Sequence, residues 1–226
     1  MNRTFFHFHK LGYRRNPFGA LTAEEWADVA VLPGVTVPLL LSSVGHWQIL
    51  GPQGCGKTTS LLGLQGHFAH HGWRAGYEYL PEGQSWFASD PGEMDYFLLD
   101  EAQRLQRRER RRLLDLVRQG GFRLIVSSHE DLTPVFARAN VPLSTVSLTT
   151  QVSPEHYQAV LVKRLNYFAL PGVPQVTLGE TAVHFLYETF GENLREAEYF
   201  LYEVWQRQET AVEISGEQLA DYYRKF

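Results

Sequence analysis

The sequence predicts an α/β fold in which a parallel sheet is followed by a small helical domain, and three observations predict it. Short apolar runs at 46–50, 96–99 and 122–127 alternate with stretches of helical periodicity, the pattern of parallel strands joined by crossover helices. The first run leads straight into Gly51-Pro52-Gln53-Gly54-Cys55-Gly56-Lys57-Thr58, a glycine-rich turn with a helix after it. Beyond about residue 150 the strand signals stop, and apolar residues recur at three- and four-residue spacing.

Taken in order, residues 1–22, with Tyr13, Asn16, Pro17, Phe18 and Gly19, read as an irregular arm. Thr22 followed by Glu24 and Glu25 starts a short helix, a capping hydroxyl with acids at the positive helix end. After the strand at 46–50, a helix begins inside the glycine-rich turn and runs through Leu61, Leu64 and Phe68 to about His71, where Gly72 ends it. A second strand covers 74–80, a third 96–99, a helix about 101–119, a fourth strand 122–127, a helix about 131–139 and a fifth strand 144–148. Ser153 caps the next helix, and 179–190 and 193–208 supply two more. The expected organisation is an arm (1–22), an α/β core (23–150) and a helical lid (151–226).

Composition narrows the classes of function. At 226 residues, with 44% hydrophobic residues and five Trp, the chain folds around a core and is not disordered. Cys55 is the only cysteine, so no intramolecular disulfide forms, and a reducing cytoplasm is the expected location. The longest weakly polar stretch, 30–44, is broken by Pro33, Gly34 and Pro38, so no membrane helix is expected. A secretory signal is not expected either, since the amino terminus lacks an apolar h-region. His7 and His9, and His70 and His71, lack companions at ligand spacing, so no protein-held transition metal is expected.

The turn at 51–58 satisfies Gly-x-x-x-x-Gly-Lys-Thr, the P-loop pattern of a nucleoside triphosphatase, with Gly54 additional to it. Glycines let the backbone of Gly51, Pro52, Gln53, Gly54, Cys55 and Gly56 curl so that amides converge on a phosphate at the helix N-terminus. Lys57 reaches the β- and γ-phosphates, Thr58 offers its hydroxyl to Mg²⁺, and Thr59 lies near the α-phosphate. Tyr-Phe-Leu-Leu-Asp-Glu at 96–101 is an apolar strand ending in two carboxylates: Asp100 to hold Mg²⁺ through its waters, Glu101 to activate the attacking water. The fourth strand runs into Ser127, Ser128 and His129, where a polar side chain lies beside the acidic pair; Ser128 is the first choice and Ser127 the second, the alternative being serines that only form the turn.

This order of features resembles the AAA+ superfamily of ATPases over roughly residues 16–208, most strongly at 46–130. The resemblance implies an AAA+-like core with a helical lid, ATP and Mg²⁺ as cofactors, and a ring or helical homo-oligomer. It nominates Arg195, in Gly191-Glu192-Asn193-Leu194-Arg195, as an arginine directed at the γ-phosphate. Arg138, after the polar strand end, matches the finger that completes a neighbour's site. Asn16-Pro17-Phe18-Gly19 resembles the arm of small transposon-associated and secretion-associated members, which implies that Phe18 packs on adenine or else anchors the arm.

Seven arginines, Arg104, Arg107, Arg108, Arg110, Arg111, Arg112 and Arg118, make 104–118 the most basic segment in a chain of net charge −4. This helix is a candidate contact for DNA; the other reading is a solvated face paired with Glu109 and Asp115. Trp86 and Phe87 occupy the position of an aromatic substrate-gripping loop, or simply pack. The expectation is therefore an ATP-hydrolysing ATPase whose cycle controls assembly or grip on a partner, DNA or protein. The alternatives are a P-loop phosphotransferase acting on a small molecule and an ATP-dependent switch without turnover.

Overall fold

In the computed structural model, residues 3–32, 45–149 and 152–225 are described. Pro33, Gly34 and Pro38, and the expected core–lid boundary at 150–151, lie outside them. In chain order the first elements are α1 (Arg3–Lys10), α2 (Ala23–Val29), β1 (His46–Leu50), α3 (Lys57–His70), β2 (Ala75–Tyr79) and β3 (Tyr96–Asp100). There follow α4 (Arg107–Gln119), β4 (Arg123–Ser128), α5 (Thr133–Arg138), β5 (Leu143–Ser147) and α6 (Pro154–Phe168). The last are β6 (Thr177–Leu178), α7 (Glu180–Phe190), α8 (Leu194–Arg207), β7 (Glu213–Ile214) and α9 (Gly216–Tyr223). The chain divides into two compact units, 26–151 and 1–25 with 152–226.

The first unit is built on five parallel strands in the order β2-β3-β4-β1-β5. Strand alternation assigns its two faces. Trp47, Ile49, Leu98 and Ile125 join Leu61, Leu64 and Phe68 of α3 in one apolar layer. Phe97, Leu99, Leu124 and Val126 join Leu113, Val117 and Phe136 of α4 and α5 in the other. Phe68 stacks on Tyr96 at 3.8 Å between ring centroids. On its outer side α3 offers Gly63, where a Cβ would stand 2.8 Å from the Ala30 methyl, so only glycine permits that approach. The parallel α/β core predicted from the sequence is present, as is a helical carboxy-terminal region.

The helix expected over 101–119 starts later. Glu101 takes left-handed φ 63°, ψ 39°, Ala102–Arg104 form a single 3₁₀ turn, and α4 begins only at Arg107. Residues 101–106 form a turn between the end of β3 and α4.

The second unit closes around Trp205, Tyr13, Tyr157, Phe168 and Leu11, all fully buried. Part of the segment expected to be irregular, Arg3–Lys10, is helical: α1 forms because Phe8 and, just beyond it, Leu11 are buried in this core. The segment at 16–19 is clamped by Arg164, which is 4% exposed. Its Nε donates to the Pro17 carbonyl at 2.7 Å, its second amino group to that of Gly19 at 2.8 Å, and its first to Glu198 at 2.6 Å. Asn16 donates to the Tyr202 carbonyl at 3.0 Å. The short parallel pair β6–β7 and the capping-box helix α9 complete the unit.

Candidate functional site

The glycine-rich turn leaves β1, which lies between β4 and β5, and enters α3. Gly54 and Gly56 have φ of 85° and 90°, and a Cβ on Gly51 would lie 2.6 Å from the Cys55 sulfur, so the glycines are required by the path of the loop. Gly56 caps α3 without any side-chain bond, which leaves the first-turn amides as donors for an anion. Pro52 and Gln53 are exposed, Thr58 and Thr59 half-buried, and Cys55 is packed inside at 3% exposure. Lys57 is buried and its ammonium is placed by the Gly51 carbonyl at 2.9 Å, the Pro52 carbonyl at 2.7 Å and His129 Nδ1 at 3.2 Å.

One strand beyond β4, the acidic pair closes β3. Asp100 is fully buried; Tyr77 donates to one of its oxygens at 3.0 Å and Ser127 donates to the other. Burial, with the Asp100 charge beside it, pushes the Tyr77 phenol far above its ordinary range, so this donor keeps its proton at any working pH. Glu101 is held in the left-handed region, a conformation costing about 1–3 kcal/mol at a non-glycine residue and concentrated at functional sites. Its amide donates to Ser127 Oγ at 3.0 Å. Its carboxylate receives Gln103 at 2.7 Å, Arg104 at 3.3 Å and His129 Nε2 at 3.2 Å.

Ser128 is not the polar residue that meets the acidic pair. Its hydroxyl donates to the Glu130 carbonyl at 2.6 Å and accepts the Glu130 amide at 2.9 Å, closing the turn after β4. Strand alternation explains the difference: Ser127 follows Ile125 on the α3 face, together with Asp100, whereas Ser128 follows Leu124 and Val126 onto the opposite face. Sequence reasoning also passed over His129, which bridges Lys57 and Glu101. A neutral imidazole protonated on Nε2 serves both contacts, accepting from the ammonium at Nδ1 and donating to the carboxylate. Its loop is fixed from beneath by Gln48, fully buried in β1, which donates to Asp131 at 2.6 Å and Thr145 at 2.7 Å and accepts the Leu132 amide at 2.9 Å. Hydrogen bonds from Thr133 and Gln48 hold the Asp131 carboxyl below its usual range.

The remaining expected residues lie elsewhere. Phe18 is 4% exposed and packs edge-on against Trp205 at 4.9 Å, so it has no face for adenine and anchors the arm instead. Arg195, in the first turn of α8, is exposed in the second unit. Arg138, in the last turn of α5, is exposed and makes no ion pair among the described residues. Most of the basic helix is structural. Arg104, Arg110, Arg112 and Arg118 donate to the carbonyls of Leu80, Leu105, Phe87 and Ala139, and Arg112 and Arg118 also pair with Glu109 and Asp115. Phe87 is buried beneath Arg112, whereas its neighbour Trp86 is 51% exposed.

Among the described residues, Thr58 at the start of α3 and Asp100 at the end of β3 offer hard oxygen donors, a hydroxyl and a carboxylate, of the kind that suits Mg²⁺. Tyr77 and Ser127 leave lone pairs on Asp100 for the waters such an ion retains. Among the described residues no three His, Cys, Asp or Glu side chains group as a metal cage, and no helix is long and apolar enough to cross a membrane.

No protein-family model and no curated protein matches this chain. Solved structures do. Domain III of the replication initiation protein DnaA from Thermotoga maritima is 15% identical with a TM-score of 0.58, over 92% of this chain and 99% of that one. The Holliday junction branch migration motor RuvB from Thermotoga maritima is 11% identical with a TM-score of 0.56, over 90% and 68%. AMPPCP-bound DnaA from Aquifex aeolicus is 18% identical with a TM-score of 0.56, over 84% and 63%. At these identities the likeness establishes the fold, that of the AAA+ P-loop ATPases.

Proposed function

We propose that this chain, with its AAA+ P-loop fold, binds ATP with Mg²⁺ at residues 51–59 and hydrolyses it, and that the cycle controls assembly or grip on a partner. The observation that carries the reading is the chain of contacts Lys57–His129–Glu101, which puts the phosphate-binding ammonium and the water-activating carboxylate on opposite sides of one imidazole. A γ-phosphate draws Lys57 away from His129, and the imidazole then loosens its hold on Glu101. Glu101 orients the attacking water and takes its proton as the γ-phosphoryl group leaves ADP. Asp100 and Thr58 would hold Mg²⁺, which would neutralise part of the triphosphate charge. Asp100 is buried and oriented by the hydrogen bonds from Tyr77 and Ser127.

The test is a titration with a fluorescent ATP analogue. Lys57→Ala is expected to weaken binding by about 100-fold or more, since two or more charge-assisted bonds at about 1.5–3 kcal/mol each are lost. Undiminished affinity would remove the phosphate-loop assignment. In the same titration Arg195→Ala tests the lid arginine: unchanged affinity for the analogue, with unchanged turnover, takes Arg195 out of the site.

Arg138 is assigned to a neighbouring subunit's site, because its exposure and lack of an ion pair among the described residues leave it available. Arg138→Ala mixed with Lys57→Ala is then expected to recover part of the activity that neither variant has alone. Mixtures no more active than their components would argue for a site complete within one chain. A phosphotransferase is disfavoured because the helical unit is made of the segments on either side of the sheet-bearing unit and does not interrupt it. Nucleic acid is the partner favoured within this reading, and the exposed arginines of α4 that make no ion pair or side-chain hydrogen bond among the described residues are its motive.

A further inference from the structure

Near the start of α4 the structure gathers aromatic and basic side chains that the nucleotide site does not use. Tyr79, at the end of β2, is 46% exposed, and Trp86, in the β2–β3 connection, 51%. Neither rides on a loose loop. The Gln106 amide donates to the Ser85 carbonyl at 3.0 Å, and Arg104 donates to the Leu80 carbonyl at 2.6 Å and to the Tyr79 hydroxyl at 3.2 Å. Phe87, next to Trp86, is buried with the Arg112 guanidinium 3.8 Å above its ring. An indole this exposed, on a connection tied at several points, is a preformed flat surface.

Beside it Arg107, Arg108 and Arg111 are exposed and make no ion pair or side-chain hydrogen bond among the described residues. At about 100° per residue the three lie within about 100° of each other on one side of α4. Three of the acids nearby are engaged, Glu109 with Arg112, Asp115 with Arg118, and Glu78 with the amides of Ala88 and Ser89, while Glu82 in the same connection offsets part of the Arg104 charge. A chain of net charge −4 thus carries a locally positive face with aromatic rings on its border.

We propose that this face binds single-stranded nucleic acid, with unpaired bases stacked on Trp86 and Tyr79 and phosphates met by Arg107, Arg108 and Arg111. The proposal takes up the nucleic-acid partner of the function proposed above and narrows it. A duplex would satisfy the arginines but presents no base face to the indole, and an acidic peptide likewise leaves Trp86 without a role. Arg104 connects the face to the nucleotide site, since it bonds both Tyr79 and the Glu101 carboxylate.

The experiment is fluorescence anisotropy of a labelled oligothymidylate of about 20 nucleotides, long enough for a site of about 4–16, with the full chain over a range of salt. Three phosphate contacts at about −0.7 each predict a slope of about −2 for log affinity against log salt. Trp86→Ala is expected to weaken binding about tenfold and Trp86→Phe to restore most of it. Replacing Arg107, Arg108 and Arg111 together by Ala is expected to bring the slope close to zero. The proposal is overturned if Trp86→Ala binds like the parent, if a duplex of equal length binds as tightly as the strand, or if polyglutamate competes as well as the oligonucleotide does. All these positions are exposed, so unchanged thermal midpoints accompany the losses. Binding of the fluorescent ATP analogue by the same variants is expected to be unchanged, which separates the two readings: a parent protein that binds the strand but not ATP ends the ATPase reading alone, and the converse ends this one alone.

Discussion

Glu101→Gln keeps ATP binding and loses turnover by about 10²–10⁴-fold, the range assigned to a general base. The amide is isosteric and can retain the left-handed backbone, whose amide Ser127 Oγ still accepts at 3.0 Å, so the phosphate loop is left undisturbed. It cannot take a proton from water. Phosphate release measured beside the ATP titration separates these effects, and parent-like turnover would mean that another group is the base. His129→Ala provides the companion measurement. It removes the link from Lys57 Nζ to Glu101 while Gln103 and Arg104 still hold the carboxylate at 2.7 and 3.3 Å. A smaller loss of turnover is therefore expected than for Glu101→Gln, with ATP binding preserved because Gly51 and Pro52 still place Lys57.

Arg164→Ala is expected to cost the helical unit about 3–5 kcal/mol, the penalty for leaving one member of a buried ion pair alone. The guanidinium is 4% exposed and satisfies Glu198 as well as the Pro17 and Gly19 carbonyls, so its removal orphans three acceptors at once. Burial raises the Glu198 carboxyl above its ordinary range, and Arg164 opposes that rise. Without Arg164 the rise is larger. A carboxyl raised in the folded state contributes stability that is complete below the ordinary glutamate range and lost as pH climbs through the folded value. The defect of Arg164→Ala is therefore expected to be greatest near neutral pH and to shrink as the solution is acidified toward that range. Denaturant melts across pH give the result directly. A parent-like midpoint at neutral pH would show that the clamp contributes nothing to stability. Arg164→Met with Glu198→Leu is expected to lose less than Arg164→Ala, because no charge is then buried unpaired.

The readable features of this protein are those that local spacing encodes. Gly51, Gly54, Gly56 and Lys57 belong together because a phosphate-cradling turn is made by one short stretch of backbone. An apolar strand that ends in Asp100-Glu101 declares which sheet edge bears the charge. The strand at 46–50 was predicted with its observed limits, and Ser153 does cap α6, accepting the His156 amide at 3.2 Å. The α1 helix was missed because eight residues with no acidic first turn carry a weak local signal, and it stands on the burial of Phe8 and on Leu11 just beyond it.

Alternation places Ser127 and Ser128 on opposite faces, but which face bears α3 is a property of the assembled sheet, and that choice selected Ser127. His129 adjoins Lys57 only because β4 lies between β1 and β3, bringing together positions 72 residues apart. The arginines of 104–118 look alike in sequence; carbonyls of the β2–β3 connection and of the turn after α5 claim some of them and leave Arg107, Arg108 and Arg111 outward. By itself, then, the sequence determined the parallel α/β core, the phosphate loop and the acidic pair, each encoded within a few consecutive residues. Tertiary structure alone decided the partners of Glu101, the place of Phe18 beside Trp205 and the union of residues 1–25 with 152–226, because these depend on contacts between segments far apart in the chain, whose closure no local pattern records.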